Sequence, residues 1–549
     1  MTRRLVTSAL PYANGDIHLG HLVEHLATDF WARFQKMRGH QCLTICADDT
    51  HGAPIMVAAR KKGIAPEELI ARTLQQHTKD FVDFQIHYDH YSTTHSETNR
   101  ALCSHFYKKL KEGGHIFKRA VDQHYCETDK IFLPDRFVKG TCPRCGVENQ
   151  YGDSCEACSA VYHSTELREP RCSICDSTPV VRASEQFFVK LEDFRPFLSE
   201  WVPQHTSAAV ANKLQEWLSE ELKDWCFTRD APYFGFELPD AKGKYYYVWF
   251  DAPIGYVSST KEWCEQRGLN FKDFWQNPEI EIHHNIGKDI VYFHTLFWPA
   301  MLKSAGFSTP TSIWVHGMLT VNGEKLSKSK GTFINARTYL NHLAPEYLRY
   351  YLACKLNQGV GDIDFNFEDF VGRVNSDLIG KITNIASRSA QMLHKQLEGR
   401  LAHLPARGEG AELIKKAHHE SEGIAQLYEE RNFAKALLSI RSLADLANKY
   451  FDDHKPWILV KEDKEKTREI LTVALNLFRI VAVYLAPILP RYAEKVAQLF
   501  KEEPYTWESS QHAVENGELN PFSHLLSRLD PKAVEAIVEE TKELQQKTS

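Results

Sequence analysis

Two histidines in the run His18-Leu19-Gly20-His21 and two lysines in Lys325-Leu326-Ser327-Lys328-Ser329 have the types and spacing to share one reaction. Each run follows a strand-like stretch. Imidazoles at a strand-to-helix turn can hydrogen-bond the phosphates and adenine of ATP, beside the free N–H groups that open a helix. Lysines between Gly323 and Gly331 carry compact ammonium groups on flexible stems, suited to a departing pyrophosphate. Each run alone has a plainer reading, as capping histidines or as a solvated charge run. Together they point to adenylate-forming chemistry. No Walker-type phosphate loop is present, and Gly359-Val360-Gly361 lacks the third glycine of a dinucleotide fingerprint.

The elements that must position these residues follow from apolar spacing. Residues 5–8 read as a buried strand, and Pro11, Asn14 and Gly15 as a turn. A helix over 21–37 repeats Leu22, Leu26, Phe30, Phe34 and Met37. A second strand over 41–46 ends on Asp48 and Asp49. That order predicts a βαβ unit with a parallel sheet. Further strand-like runs at 244–249, 280–286 and 312–316 predict that an insertion of about a hundred residues splits the sheet. After about residue 370, helical spacing dominates (Phe433, Leu437, Ile440, Ala444, Ala447), with breaks at Pro405, Pro456, Pro487 and Pro490. That predicts a helical bundle. The polar stretch 535–549 is expected to fray.

With 549 residues the chain is long enough for several cores, and its net charge of −6 excludes a uniformly basic coat. No apolar run reaches the ~18 residues of a membrane helix. The start, Met1-Thr2-Arg3-Arg4 followed by Pro11, Asn14 and Asp16, is not that of a secretory signal. A cytoplasmic protein is expected. Seven of thirteen cysteines fall between Cys126 and Cys175. Cys142, Cys145, Cys155 and Cys158 form two knuckles spaced for tetrahedral Zn²⁺, a structural site with no open position. Cys172 and Cys175 form another knuckle, whereas the earliest reads Cys126-Glu127-Thr128-Asp129. A second zinc on Cys126, Asp129, Cys172 and Cys175 is chemically allowed, and so is a vestigial knuckle with buried cysteines.

The two opening runs resemble the HIGH and KMSKS motifs of class I aminoacyl-tRNA synthetases, with Leu326 in place of the usual methionine. Ala9-Leu10-Pro11-Tyr12-Ala13-Asn14-Gly15, Ala47-Asp48-Asp49-Thr50-His51-Gly52, Val248-Trp249-Phe250-Asp251-Ala252-Pro253 and Gly287-Lys288-Asp289-Ile290 narrow the resemblance to the zinc-knuckle methionyl-tRNA synthetases, over nearly the whole chain. The resemblance implies that His18, Gly20, His21, Gly287, Asp289 and Lys328 bind ATP, with Lys325 assisting and Asp289 at the ribose. It implies that Asp49 holds the methionine α-ammonium. Ala9, Leu10, Tyr12, Trp249, Ala252, Pro253, Tyr256, Ile290 and His294 would shape the rest of the methionine site, and Asn384, Arg388 and Trp457 would meet anticodon bases. Aromatics suit a thioether, at ~0.3–1.5 kcal/mol per sulfur–ring contact. Shape alone separates methionine poorly from leucine, so the pocket is expected to close through aromatic rearrangement.

The expected fold is α/β: a Rossmann-type parallel-sheet catalytic domain (1–115 and 231–320) split by a zinc-binding connective insertion (116–230). A linking domain (321–370) carries the lysine run, and an all-α anticodon bundle (371–549) follows. The implied partners are ATP with Mg²⁺, L-methionine and methionine tRNA, initiator included, and the chain is expected to be monomeric. Two other readings are a small-molecule nucleotidyltransferase and a zinc-knuckle nucleic-acid binder without catalysis; amino-acid-dependent pyrophosphate exchange separates them from the first.

Overall fold

Five strands form one parallel sheet in the computed structural model, which describes residues 2–548 apart from 153, 154, 156, 159, 161 and 326–331. They are β1 (Arg3–Ser8), β2 (Gln41–Asp48), β3 (His90–Thr93), β4 (Ile280–Gly287) and β5 (Ser312–His316), ordered β5-β4-β1-β2-β3. Leu5 on β1 pairs in register with Leu43 on one side and Ile282 on the other. All three are buried, as expected of parallel strands covered on both faces. The chain leaves β1 toward β2 on one side, and β4 later joins on the other. A crevice for ligand therefore opens beyond the carboxyl ends of β1 and β4.

Helix α1 (Leu19–Met37) crosses from β1 to β2. Its stripe of Leu22, Leu26, Phe30 and Phe34 is buried, and it ends before Gly39, which takes φ +81°. The insertion opens with strand Ile116–Cys126, antiparallel to Val180–Val189. The cysteine knuckles fold between them, around a small sheet of Val138–Thr141, Gln150–Tyr151 and Arg168–Cys172.

The strand expected at 244–249 is a correction. Only its start belongs to a strand, Ala241–Tyr246, and that strand lies in a separate antiparallel sheet with Thr228–Asp230 and Glu237–Leu238. From Val248 the chain is helix α2 (Val248–Glu265). The aromatic run Tyr245-Tyr246-Tyr247-Val248-Trp249 imitates strand composition, and tertiary packing overrides it. β3 went unread because His90-Tyr91-Ser92-Thr93 lacks an apolar pattern.

Beyond β5, strand Leu319–Val321 pairs in parallel with Ile363–Phe365 and in a hairpin with Glu324–Lys325. Asn322 and Gly323 turn that hairpin at φ +50° and +76°, the left-handed pair favoured in two-residue hairpins. Gly317, just before it, is obligatory: a Cβ there would sit 1.9 Å from the Gly361 carbonyl oxygen. Helix α3 (Pro345–Lys355) leads into the bundle of α4 (Asn384–Leu397), α5 (Glu409–Glu429), α6 (Phe433–His454) and α7 (Lys464–Leu485). The 470–485 span of α7 is buried all round, so it is the bundle's core helix.

The terminal stretch is also corrected. Helix α8 (Pro531–Thr548) buries Val534, Ile537 and Thr541 at helical spacing, and Glu540 accepts from His342 at 2.7 Å, so it docks rather than frays.

Candidate active site

His18 is the N-cap of α1. Its Nδ1 accepts from the Gly20 N–H at 3.0 Å, while His21 Nδ1 accepts from the His18 N–H at 3.3 Å. The two rings stack with centroids 3.7 Å apart. This reciprocal cap fixes both imidazoles at the mouth of the helix. The chain beyond the lysine run is tied to the same place: the Leu19 N–H donates to the Ile334 carbonyl at 3.0 Å, and Phe333 meets the His18 ring edge-on. The Lys325 side chain and residues 326–331, Lys328 among them, lie outside the described residues. Removal from water at the cleft floor, with His18, His25 and His77 nearby, holds His21 well below the ordinary histidine range. His21 is therefore neutral, and with Nδ1 accepting from the His18 N–H its ring proton sits on Nε2.

A cleft of about 1960 Å³ opens here, bounded by Ala9, Leu10, Tyr12, His18, Gly20, His21, Asp49, Trp249, Gly287, Asp289 and Ile290. Ala9 and Leu10 follow β1, and Gly287 ends β4, so the site occupies the crevice that the strand order predicts. Asp49 follows β2 and is held by reciprocal backbone bonds: Ala13 N–H to the Asp49 carbonyl at 2.8 Å, and Asp49 N–H to the Pro11 carbonyl at 2.9 Å. Its Oδ1 is buried with no hydrogen-bond partner among the described residues. Burial, with Asp251 and Asp48 nearby, pushes its carboxyl well above the usual carboxylate range. An unpaired buried carboxylate is costly and favours a cation. An ammonium fits.

Trp249 stacks face to face on Phe293 at 4.0 Å. Ala252, Pro253, Tyr256 and His294 are buried and are not among the residues that bound the cleft. Tyr256 Oη and His294 Nε2 lie 2.9 Å apart, and His294 sits in a π-helical turn, Phe293–Phe297. Burial pushes the His294 imidazole down to about 4, so it is neutral. Four side chains expected to shape the methionine site are therefore buried in this structure.

Two pairs were missed from sequence. Glu24 on α1 and His316 at the end of β5 lie 3.3 Å apart at the cleft wall, where burial raises the Glu24 carboxyl against that bond. His51 Nδ1 bonds Asp251, and its Nε2 lies 2.9 Å from His95 Nδ1. The only signals were an acid on an apolar helix face and polar residues at strand ends.

The cysteines meet the demands of a metal. Ligand atoms of Cys142, Cys145, Cys155 and Cys158 all lie within 4.8 Å of one another. Two of the Sγ–Sγ separations are 3.9 and 3.5 Å, against ~3.8 Å for thiolates on tetrahedral zinc. Backbone N–H groups of Arg144 and Cys145 point at Cys142 Sγ, and that of Cys158 at Cys155 Sγ, which favours thiolates. Cys126, Asp129, Cys172 and Cys175 form a second set of the same compactness, with Asp129 Oδ2 at 3.1 and 3.3 Å from Cys126 and Cys172 Sγ.

In the bundle, Asn384 opens α4, and Arg388 one turn later pairs with Asp452 at 2.6 Å. The Arg388 guanidinium lies over Phe451 and Trp457, and Trp457 is 44% exposed.

Residues 4–390 match the family model described as tRNA synthetases class I (M), and residues 405–523 match the anticodon binding domain of methionyl tRNA ligase. The chain belongs to the class I methionyl-tRNA synthetases. A curated relative, the methionine–tRNA ligase of Bdellovibrio bacteriovorus, is 54% identical over 541 residues, 98% of this chain and 78% of the relative. The fold matches that of Mycobacterium tuberculosis methionyl-tRNA synthetase in complex with methionyl-adenylate, with TM-score 0.80 at 24% identity over 96% of this chain and 99% of that one. The free state of that enzyme gives TM-score 0.73 at 22% identity over 97% and 99%.

Proposed function

We propose that this chain activates L-methionine with ATP and transfers the methionyl group to the 3′ end of methionine tRNA, elongator and initiator alike. The buried Asp49 carboxylate at the crevice, whose Oδ1 has no hydrogen-bond partner among the described residues, carries the reading, because it gives an amino acid's ammonium a fixed place beside an ATP-binding helix start. A carboxylate oxygen of methionine attacks the ATP α-phosphorus, and pyrophosphate leaves. The 2′-hydroxyl of the terminal adenosine then attacks the methionyl carbonyl, and AMP leaves. No covalent enzyme intermediate is needed. Catalysis is by positioning and electrostatic stabilisation.

His18, His21 and the N–H groups around Gly20 hold the phosphates, Gly287 and Asp289 the nucleoside side, and Lys325 and Lys328 the charge on the leaving pyrophosphate. Mg²⁺ arrives with ATP as part of the substrate. Ala9, Leu10, Tyr12, Trp249 and Ile290 meet methionine first; Ala252, Pro253, Tyr256 and His294 are reached when Trp249 and its aromatic neighbours rearrange. Asn384, Arg388 and Trp457 read the anticodon by hydrogen bonds and stacking. Zinc on Cys142, Cys145, Cys155 and Cys158 would supply a four-thiolate cross-link to the connective insertion. A second zinc fits Cys126, Asp129, Cys172 and Cys175. The domain limits follow the sequence reading, and the protein acts as a cytoplasmic monomer.

Pyrophosphate exchange into ATP, run across the amino acids, tests the activation step. Exchange should depend on methionine, and exchange with another amino acid or none would refute the reading. Trp457→Ala should lower tRNA charging by about 10–100-fold, the range of one base stack, and leave exchange intact. Unchanged charging would remove the anticodon role.

A further inference from the structure

Arg431 is the most anomalous buried charge in the bundle. It is 5% exposed, and its Nε, Nη1 and Nη2 have no hydrogen-bond partner among the described residues. Its guanidinium is instead held between two indoles, 3.9 Å from the Trp31 ring centroid and 4.0 Å from that of Trp314. Its backbone adopts φ +56°, a left-handed conformation that side chains other than glycine rarely adopt. Burying that cation with no hydrogen bond on a strained turn is costly, and the two ring contacts offset only part of the cost. Stability does not explain Arg431.

Its location does. Arg431 lies in the short turn between α5 and α6, where Asn432 caps α6. Helix α6 has 22 residues, a rod of about 33 Å. At its far end Asp452 pairs with Arg388 and Phe451 packs on Trp457. At the near end, the two indoles belong to the two elements that carry the nucleotide site. Trp31 is on α1, which His18 and His21 open, and Trp314 is two residues before His316, which holds Glu24. The same turn is tethered to α1 by Trp31 Nε1 donating to the Glu429 carbonyl at 3.1 Å and by Gln35 Nε2 donating to Glu429 Oε2 at 2.7 Å.

We infer that Arg431 is a positioning residue that couples occupancy of the anticodon end of α6 to the geometry of the ATP end of the parallel sheet, through its clamp between Trp31 and Trp314. A guanidinium held by two ring faces can slide in the plane between them without breaking a directional bond, as a salt bridge could not. Small movements of α6 thus pass to α1 and β5 as a change in how the indoles are held. The inference rests on the reading of Asn384, Arg388 and Trp457 as the anticodon face.

The test compares Arg431→Met and Arg431→Lys with wild type and with Trp457→Ala. Melting temperature, methionine-dependent pyrophosphate exchange without tRNA, and charging of full-length tRNA and of a minihelix lacking the anticodon arm are measured. Arg431→Met should melt no lower than wild type, and its exchange should stay within about twofold. Its kcat for full-length tRNA should fall at least about fivefold at an unchanged KM, while minihelix charging stays at the wild-type rate. Arg431→Lys, which keeps a cation between the rings, should recover part of the loss. Wild-type kcat on full-length tRNA in Arg431→Met would overturn the coupling. So would parallel losses in exchange or in minihelix charging, which mark a merely structural pin. If Trp457→Ala charges tRNA like wild type, the anticodon reading itself fails and the coupling falls with it. A sensitive Trp457→Ala beside an insensitive Arg431→Met refutes the coupling alone.

Discussion

Asp49 and the aromatics near it do different work at the scale of single residues. An ammonium is common to every amino acid, so on the proposed reading Asp49 would contribute affinity and orientation, while Trp249 and the aromatic residues near it would decide which amino acid stays. The unpaired Oδ1 makes the affinity measurable. Asp49→Asn should raise KM for methionine in the exchange assay by about 10–100-fold, the range of a hydrogen bond to a charged group. The pH dependence has a defined sign. Because burial, Asp251 and Asp48 raise the Asp49 carboxyl, its charged form, and with it methionine affinity, grows as pH rises through that raised value. KM for methionine in the wild type should fall as pH rises, and the Asn variant should lose that trend. A trend of equal size in both would place the titrating group elsewhere.

At the scale of elements, the cysteine knuckles show how a local motif builds structure that propensity does not. The strands between Cys126 and Cys175 are two to five residues long, too short to persist alone. Metal binding is folding free energy for a segment of this kind. Metal analysis should find two zinc ions per chain, falling to one in Asp129→Ala while the four-cysteine site stays filled. One ion in the wild type would leave the second set as buried cysteines only. The knuckle spacing was plain from sequence because ligand geometry dictates it. The strand expected at 244–249 was misread because aromatic composition suits a strand and a helix start equally, and only packing decides between them.

At the scale of the whole molecule, the sheet, the linking helices and the bundle meet at Arg349. Its Nη2 pairs with Asp29 on α1 at 2.6 Å, its Nε donates to the Ile488 carbonyl at 2.7 Å, and its Nη1 donates to the Phe84 carbonyl at 3.0 Å. Burial pushes the guanidinium down to about 10, so it stays charged at neutral pH. Arg349→Met should cost about 3 kcal/mol, at the low end for a broken buried pair because Arg33 still faces Asp29 at 2.9 Å. Calorimetry should then show the bundle and the sheet melting at separate temperatures. A single transition at the wild-type temperature would show that the junction does not hold the parts together.

The sequence alone determined whatever short-range chemistry dictates. The His18–His21 cap, the cysteine spacing, the parallel strands at 280–286 and 312–316, and the helical periodicity beyond residue 370 each follow from neighbours within a few positions. Tertiary structure decided what depends on residues far apart in the chain. It left Asp49 Oδ1 without a hydrogen-bond partner among the described residues, buried Tyr256 against His294, joined Glu24 to His316, and put Arg431 between Trp31 and Trp314. The physical reason is that burial and pairing are properties of a place in the fold. A residue's type and spacing state what it can do, and only the packed chain fixes whether it meets water, a partner or a substrate.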